Sequence, residues 1–402
     1  MNKIMKYRLV VKKGTIIEFL VKSGVFLMPF ILLLNVLVFK KARIAGIGIA
    51  NLYLDIVLIV AYIDSILNRK KYVDCRYIHF FLTALLFVTV VKGLLSQNDI
   101  VGWLVAKQYY FWLPVVYIAL SNKKLEIQRI VRLLCLETIV ICPLSIAMFL
   151  TTNYFGMAKY PDLLKYAIVG LPFARMFSIF GSPLVAGPFF AMISMCLVEQ
   201  LQDGKTITRV LLCMNFICLM LTFSRTALIA FAVFCFVKFA SENTLTLFQK
   251  ILAIVILVLF LTAAISIMIQ NGAYFWKSDL FDNVRFTKWT ANFQGIREHW
   301  LLGYDFNINI SSGRTWETTL SDNSFLIALA DFGIAFWGIV AIIGGLRFFE
   351  LSKYVRKKLR PILSALLIFT FLYDFIQVFP CNYLAILLYL YFKNITGMVM
   401  KK

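Results

Sequence analysis

Acidic residues are scarce in this sequence: Asp and Glu number 20 among 402 residues, against 41 Lys and Arg, and the only histidines are His79 and His299. Neither histidine has a metal-ligand neighbour at helical spacing, so no zinc site and no metal is expected. No glycine-rich, phosphate-cradling loop follows a strand, which argues against ATP-driven work, and no other cofactor is expected. Low-complexity tracts are missing, and the two halves show no internal repeat, which counts against transporters built from repeated bundles. The eight cysteines lack the spacing of a secreted framework. Cys135, Cys142, Cys196, Cys213, Cys218 and Cys235 lie inside apolar runs, where the thiol behaves as a small hydrophobe.

What is abundant is apolar surface. Hydrophobic residues make up 61% and charged residues 15%, with a mean hydropathy of +0.84. Those values exclude a soluble enzyme, a disulfide scaffold and a disordered tail, and predict an integral membrane protein. Cutting at polar clusters leaves apolar spans near 23–39, 45–67, 77–96, 102–120, 128–150, 183–201, 207–223, 224–240, 249–270, 322–348, 361–379 and 380–398. These are about twelve helices, each near the roughly 20 residues that a bilayer requires. The basic stretch of Lys3, Lys6, Arg8, Lys12, Lys13 and Lys22 precedes Ser23 to Phe39 without a small-x-small cleavage site, which reads as a retained first span.

With the N-terminus in the cytoplasm, about two thirds of the basic residues fall inside, the largest cluster being Lys353, Arg356, Lys357, Lys358 and Arg360. Both termini are then cytoplasmic. The loop of Lys40, Lys41 and Arg43 runs against that bias. The net charge of +21 is accounted for mostly by cytoplasmic loops, so no nucleic-acid partner is expected.

Two predicted external segments, 151–182 and 271–321, are longer than connectors and are where function is expected. The first contains Arg175 just ahead of Gly181 and Pro183; a solvated loop arginine is the plainer account. Between the seventh and eighth spans, Ser224 stands as an N-cap, which leaves Arg225 in a first turn where the macrodipole is positive. A bound anion resolves that conflict, and snorkelling to headgroups is the rival account. In the second segment, apolar residues at 286, 289, 293, 296 and 300 predict an amphipathic surface helix stopped by Gly303. Arg285 and Lys288 lie one turn apart near its start, with interfacial lipid contact as the alternative. Asp322 opens the tenth span and suits a general base, although Ser321 or Asp322 also reads as a plain N-cap. His299 is the second choice of base, beside an ordinary surface role. Asp331, Asp55, Glu137 and Asp374 lie within apolar stretches, where carboxylates face a bundle interior or a cavity.

Taken together, Arg175 to Gly181 and Pro183; Ser224, Arg225, Thr226; Arg285, Trp289 and Gly303; and Asn323, Leu326, Asp331, Gly333 resemble the motifs of the O-antigen polymerase and O-antigen ligase superfamily of bacterial envelope glycan assembly. The resemblance runs through roughly residues 170–345. It implies an all-helical, GT-C-like polytopic enzyme in the bacterial inner or plasma membrane. That enzyme transfers glycan, with inversion and without metal or nucleotide sugar, from an undecaprenyl-pyrophosphate carrier to a hydroxyl. The donor and acceptor are lipid-linked, and a chain-length regulator and a flippase are the implied partners.

Pyrophosphate is then the leaving group, which Arg225 and Arg285, with Arg175, suit by bidentate guanidinium contact. Beside the resemblance, the reading of the residues themselves makes Asp322 the candidate base and Ser224, Lys288, Arg297, His299 and Asn323 the candidate substrate contacts. Ligases of this superfamily carry His where Asp322 stands, which favours a polymerase. Trp300 replaces a usual Pro, and Asp305 a common second Gly. A ligase and a lipid-linked oligosaccharide flippase are the rival functions.

Overall fold

The structure, a computed structural model, describes residues 13–31, 34, 43–44, 47–72, 75–95, 108–123, 125–155, 174–201, 204–241, 296–297, 300–301, 303, 323–372 and 380–399. These residues are mostly helical, in eleven α-helices. In chain order they are α1 Lys13–Leu27, α2 Ile49–Leu67, α3 Cys75–Leu95, α4 Gln108–Leu120, α5 Ile127–Phe155, α6 Pro183–Gln200, α7 Thr206–Leu221, α8 Arg225–Ser241, α9 Ser324–Glu350, α10 Lys353–Leu372 and α11 Cys381–Val399. Two short strands, Arg43–Ile44 and Ile47–Gly48, pair antiparallel between α1 and α2.

Three of these helices are long and apolar enough to cross a membrane: Ile127–Asn153 within α5, α6, and α9. The expected count of twelve spans is not shown. The expected span 249–270 lies outside the described residues. Two boundaries differ from expectation at their basic ends. Helix α1 begins at Lys13 rather than near residue 23, and α10 begins at Lys353 rather than near residue 361. Lys and Arg are good helix formers whose apolar stems continue a helix past the last apolar residue.

Helix α6 is buried on nearly every side, from Pro183 through Glu199. A helix that is apolar all round belongs inside a bundle, and Ala186, Gly187, Ala191 and Ser194 let its neighbours approach closely. Around it pack α7, α8, α5 and α11, and α10 lies along α8. Helix α11 continues the packing to α4 and α5, so Leu384, Leu388 and Phe392 are almost wholly buried. By contrast, Leu133, Ile139 and Val140 of α5 and Ile56, Ile59 and Ile63 of α2 stay exposed. Apolar stripes of that extent on the outside of a bundle suit a lipid solvent.

The helix ends sort into two groups. At one end, Ala174 N donates to Asn153 Oδ1 near the end of α5, and Cys381 Sγ donates to Val185 O, joining the starts of α11 and α6. At the other end, Glu199 of α6 is 5% exposed in its side chain and is paired with Lys238 of α8 and, at 3.2 Å, with Lys358 of α10. Asp64 of α2 accepts from Tyr72 Oη at 2.7 Å and from Asn68 Nδ2 at 2.6 Å.

A buried ion pair is fragile to loss of one member, because the survivor is left as an uncompensated charge. Glu199→Gln should therefore lower stability by about 3 kcal/mol, seen as a lower Tm in detergent. Adding Lys238→Met should restore most of that loss.

Candidate functional site

Three of the expected site residues, Arg175, Ser224 and Arg225, lie where α7 turns into α8. Helix α7 ends at Leu221, and Phe223 adopts a left-handed φ of +48°. That conformation strains a bulky residue and is usually left to glycine at a helix C-terminus. Three successive carbonyls past the helix end are satisfied by one passing segment. Met176 N donates to Leu221 O at 3.0 Å, Arg175 Nε donates to Thr222 O at 3.0 Å, and Arg175 Nη2 donates to Phe223 O at 3.2 Å. A guanidinium at the negative end of a helix dipole is favourable on electrostatic grounds as well.

The segment that carries Arg175 is itself fastened. After Phe177, a single 3-10 turn spans Ser178–Phe180, with φ of +55° at Ser178 and +66° at Gly181. The Ser178 and Ser145 hydroxyls are hydrogen-bonded. Ser182 then caps α6, its side chain accepting from Leu184 N at 3.2 Å, with Pro183 at the first helical position. Serine followed by proline is a favoured helix start.

Gly187 of α6 forms the floor of the elbow. A Cβ there would lie 2.4 Å from Ser224 Cβ and 2.7 Å from Ser224 Oγ, so only glycine permits this approach. Ser224 is buried, at 6% exposure, and its carbonyl accepts from Leu228 N at 3.0 Å, as the carbonyl of an N-cap residue does. Arg225 follows in the first turn of α8, half-buried.

Asn323 arrives from the other side. Its Oδ1 accepts from Phe325 N at 3.0 Å and Leu326 N at 3.1 Å, which makes it the N-cap of α9 in place of Ser321 or Asp322. Its Nδ2 donates to Phe371 O at 2.7 Å. The next carbonyl of α10, Leu372 O, accepts from Thr226 Oγ1 at 3.4 Å. The last turn of α10 thus takes one bond from the start of α8 and one from the start of α9, bringing Arg225 and Asn323 around the same helix end.

Ile296, Trp300, Leu301 and Gly303 lie against α9. Ile296 packs with Leu326, Leu329 and Ala330, while Arg297 is exposed. Helix α9 is broken at Gly333, where φ is +69° and ψ is −171°. The amides freed at the break find new acceptors: Ile334 N donates to Trp300 O at 2.9 Å and Ala335 N to Leu301 O at 3.1 Å. Glycine is required on both sides. A Cβ on Gly333 would lie 2.3 Å from Leu301 O, and one on Gly303 would lie 2.5 Å from Ala330 O. Just before the break, buried Asp331 accepts from Tyr110 Oη of α4 at 3.3 Å, and the Tyr110 ring meets Phe332 edge-on.

Of the nine expected site residues, Arg175, Ser224, Arg225, Arg297 and Asn323 are placed. Asp322, Arg285, Lys288 and His299 lie outside the described residues, as does most of the expected surface helix. Arg175 Nε and Nη2 are engaged by backbone, and both ends of the Asn323 amide are engaged by helix ends. Sequence reasoning did not single out Gly187, Thr222 or Tyr110. Gly187 and Ala191 lie four residues apart within an apolar run, and small residues at that spacing are a signal of close helix approach. No group of three or more metal-ligating side chains occurs among the described residues. The arrangement presents a cationic first helical turn, held by a strained elbow, next to a second helix start.

Two substitutions test this geometry. Gly187→Ala should displace Ser224 and lower stability by about 1–3 kcal/mol, measured by thermal unfolding in detergent. Gly333→Ala combines left-handed strain with overlap against Leu301 O, and should release the 300–303 segment to limited proteolysis while the rest of the bundle resists. In comparison with known proteins, the chain matches no family model and no curated protein.

Proposed function

We propose that this chain is a membrane glycosyltransferase that polymerises undecaprenyl-pyrophosphate-linked oligosaccharide repeat units on the outer face of a bacterial inner or plasma membrane. The product is O-antigen, capsule or exopolysaccharide. The chain crosses the bilayer about twelve times, with both termini cytoplasmic, and works beside a flippase and a chain-length regulator. The observation that carries this reading is the elbow. Phe223, held in a strained conformation by Arg175, presents Arg225 at the positive end of α8, beside the start of α9.

In the reaction, a hydroxyl oxygen of the acceptor bonds to the anomeric carbon of the donor sugar as the bond from that carbon to the phosphate oxygen breaks. The pyrophosphate leaves with the electron pair, and inversion follows from attack on the opposite face. Arg225 and Arg285 stabilise the charge that develops on the leaving group, and helix-start amides add to that field. Asp322, next to the N-cap Asn323, takes the hydroxyl proton. Arg175 acts as a positioning residue through the carbonyls of Thr222 and Phe223, and Asn323 does the same by tying α9 to α10. Arg297 is exposed beside this end and suits the sugar or phosphate portion of a substrate.

A second reading is favoured by the break at Gly333. Discontinuous helices line substrate paths in many transporters, and a flippase for lipid-linked oligosaccharide would use one.

The purified chain, given its lipid-linked repeat unit with EDTA and no nucleotide, should produce a ladder spaced by one repeat. Arg225→Glu should abolish the ladder while leaving the protein folded, and Arg225→Lys should retain only a fraction of the rate because it lacks the bidentate fork. Wild-type chain lengths from Arg225→Glu overturn the assignment. Transfer of the lipid-linked unit across liposomes without any ladder favours the flippase.

A further inference from the structure

Helix α5 holds a carboxyl group that the proposed reaction does not use. Glu137 lies about 15 Å along this helix from its start, inside the apolar stretch Ile127–Asn153 that is long enough to cross a membrane. The residue is 9% exposed. One turn to either side of it on the helix surface, Leu134 and Ile141 are buried, whereas Leu133 and Val140 are exposed. Glu137 therefore stands on the seam between the packed face of α5 and the face that suits lipid.

Four carboxyl side chains are buried among the described residues, and three of them have donors. Asp64 accepts from Tyr72 and Asn68, Glu199 from Lys238 and Lys358, and Asp331 from Tyr110. Both oxygens of Glu137 are buried with no hydrogen-bond partner. The helices packed against α5 are α1, α6, α7 and α11. Their charged residues are Lys13, Glu18 and Lys22, then Glu199, Arg209 and Lys393. Their other titratable groups are thiols and phenols, uncharged near neutral pH. On α5 itself, Arg129 pairs with Glu126 and Arg132 is exposed. Among the described residues none of these charges acts on the Glu137 carboxyl, whose surroundings contribute only the loss of water.

An ionised carboxylate with no donor and no counter-charge is too costly to keep in an apolar bundle, and it takes up a cation instead. A metal cation needs several oxygen ligands at once, and no group of three or more His, Cys, Asp or Glu side chains is present among the described residues to supply them. A proton needs only the carboxyl itself. We propose that Glu137 is a proton-binding site within the membrane-spanning bundle, neutral while the bundle stays closed around it. Exchange of that proton requires water to reach the seam of α5, and intramembrane carboxyls of this kind mark proton paths. The site is independent of the glycosyl-transfer reading, since it needs only α5 and the helices packed on it.

The test uses the full chain in lipid nanodiscs at neutral pH, with infrared difference spectra between the wild type and Glu137→Gln. A protonated carboxyl shows a C=O stretch well apart from the two carboxylate bands. The wild type should show a carboxylic-acid band that Glu137→Gln loses, and the band should shift in D2O. Loss of carboxylate bands in its place overturns the proposal. So does a Glu137 signal that changes when sodium is replaced by choline, because it assigns the carboxyl to a metal cation. Thermal unfolding of Glu137→Met gives a second reading, which decides if Glu137→Gln does not fold. A neutral, unpartnered carboxyl contributes no interaction that an unbranched apolar side chain of similar length lacks, so Glu137→Met should match or exceed the wild-type Tm. A lower Tm, or failure to fold, reveals a compensated charge at Glu137 and rejects the site.

Discussion

Every carbonyl and amide left over where a helix stops or breaks must find a partner when its surroundings are apolar, because an unpaired backbone group there costs several kcal/mol on the order expected for hydrocarbon. The organisation of the candidate site follows from that constraint. At the end of α7, three consecutive carbonyls are met by Met176 and Arg175. At the break in α9, two amides are met by Trp300 and Leu301. At the end of α10, two carbonyls are met by Asn323 and Thr226. Segments distant in sequence are thereby held together by backbone demand, and the side chains they carry come along in fixed positions.

The same constraint explains the role of arginine at position 175. A lysine reaches one carbonyl at a time as a point charge, whereas the planar fork of a guanidinium serves two neighbouring acceptors at once. Such a fork is what a bulky residue in a left-handed conformation needs, since the strain at Phe223 persists only where its surroundings over-determine it. The two ends of the bundle are stabilised differently. One relies on backbone capping, and the other on a buried carboxylate between two lysines and on the polar cluster around Asp64. Buried Glu199 with its two lysines ties the ends of α6, α8 and α10 into one register and thereby sets where their opposite ends, including the first turn of α8, emerge.

Much of the helical plan was legible in the sequence. The spans placed near 128–150, 183–201, 207–223 and 322–348 correspond to α5, α6, α7 and α9 within a few residues, because apolar runs bounded by Ser, Pro, Gly and Lys carry strong start and stop signals. The beginnings of α1 and α10 were less legible, because a basic amphipathic turn interrupts hydropathy without interrupting the helix. Within the site, Ser224, Arg225, Arg175, Gly303 and Gly333 stood out as residues, but their roles did not. Arg175 read as a ligand for an anion, and the structure engages two of its nitrogens with a helix end. Gly303 read as a stop and Gly333 as a motif position, and neither by itself disclosed that the two segments press against each other.

From its amino acids alone, then, this protein was determined to be helical and rich in apolar surface, with few acidic residues against 41 Lys and Arg. Those properties depend on composition and on periods of a few residues, which each stretch of chain carries independently of the rest. Tertiary structure alone decided that Gly187 lies against Ser224, that α9 breaks to receive residues 300 and 301, and that α8 and α9 start around one end of α10. Those contacts join positions from about thirty to about a hundred and fifty residues apart. No local pattern encodes them, because close packing and backbone satisfaction are met by the assembled bundle and not by any one helix.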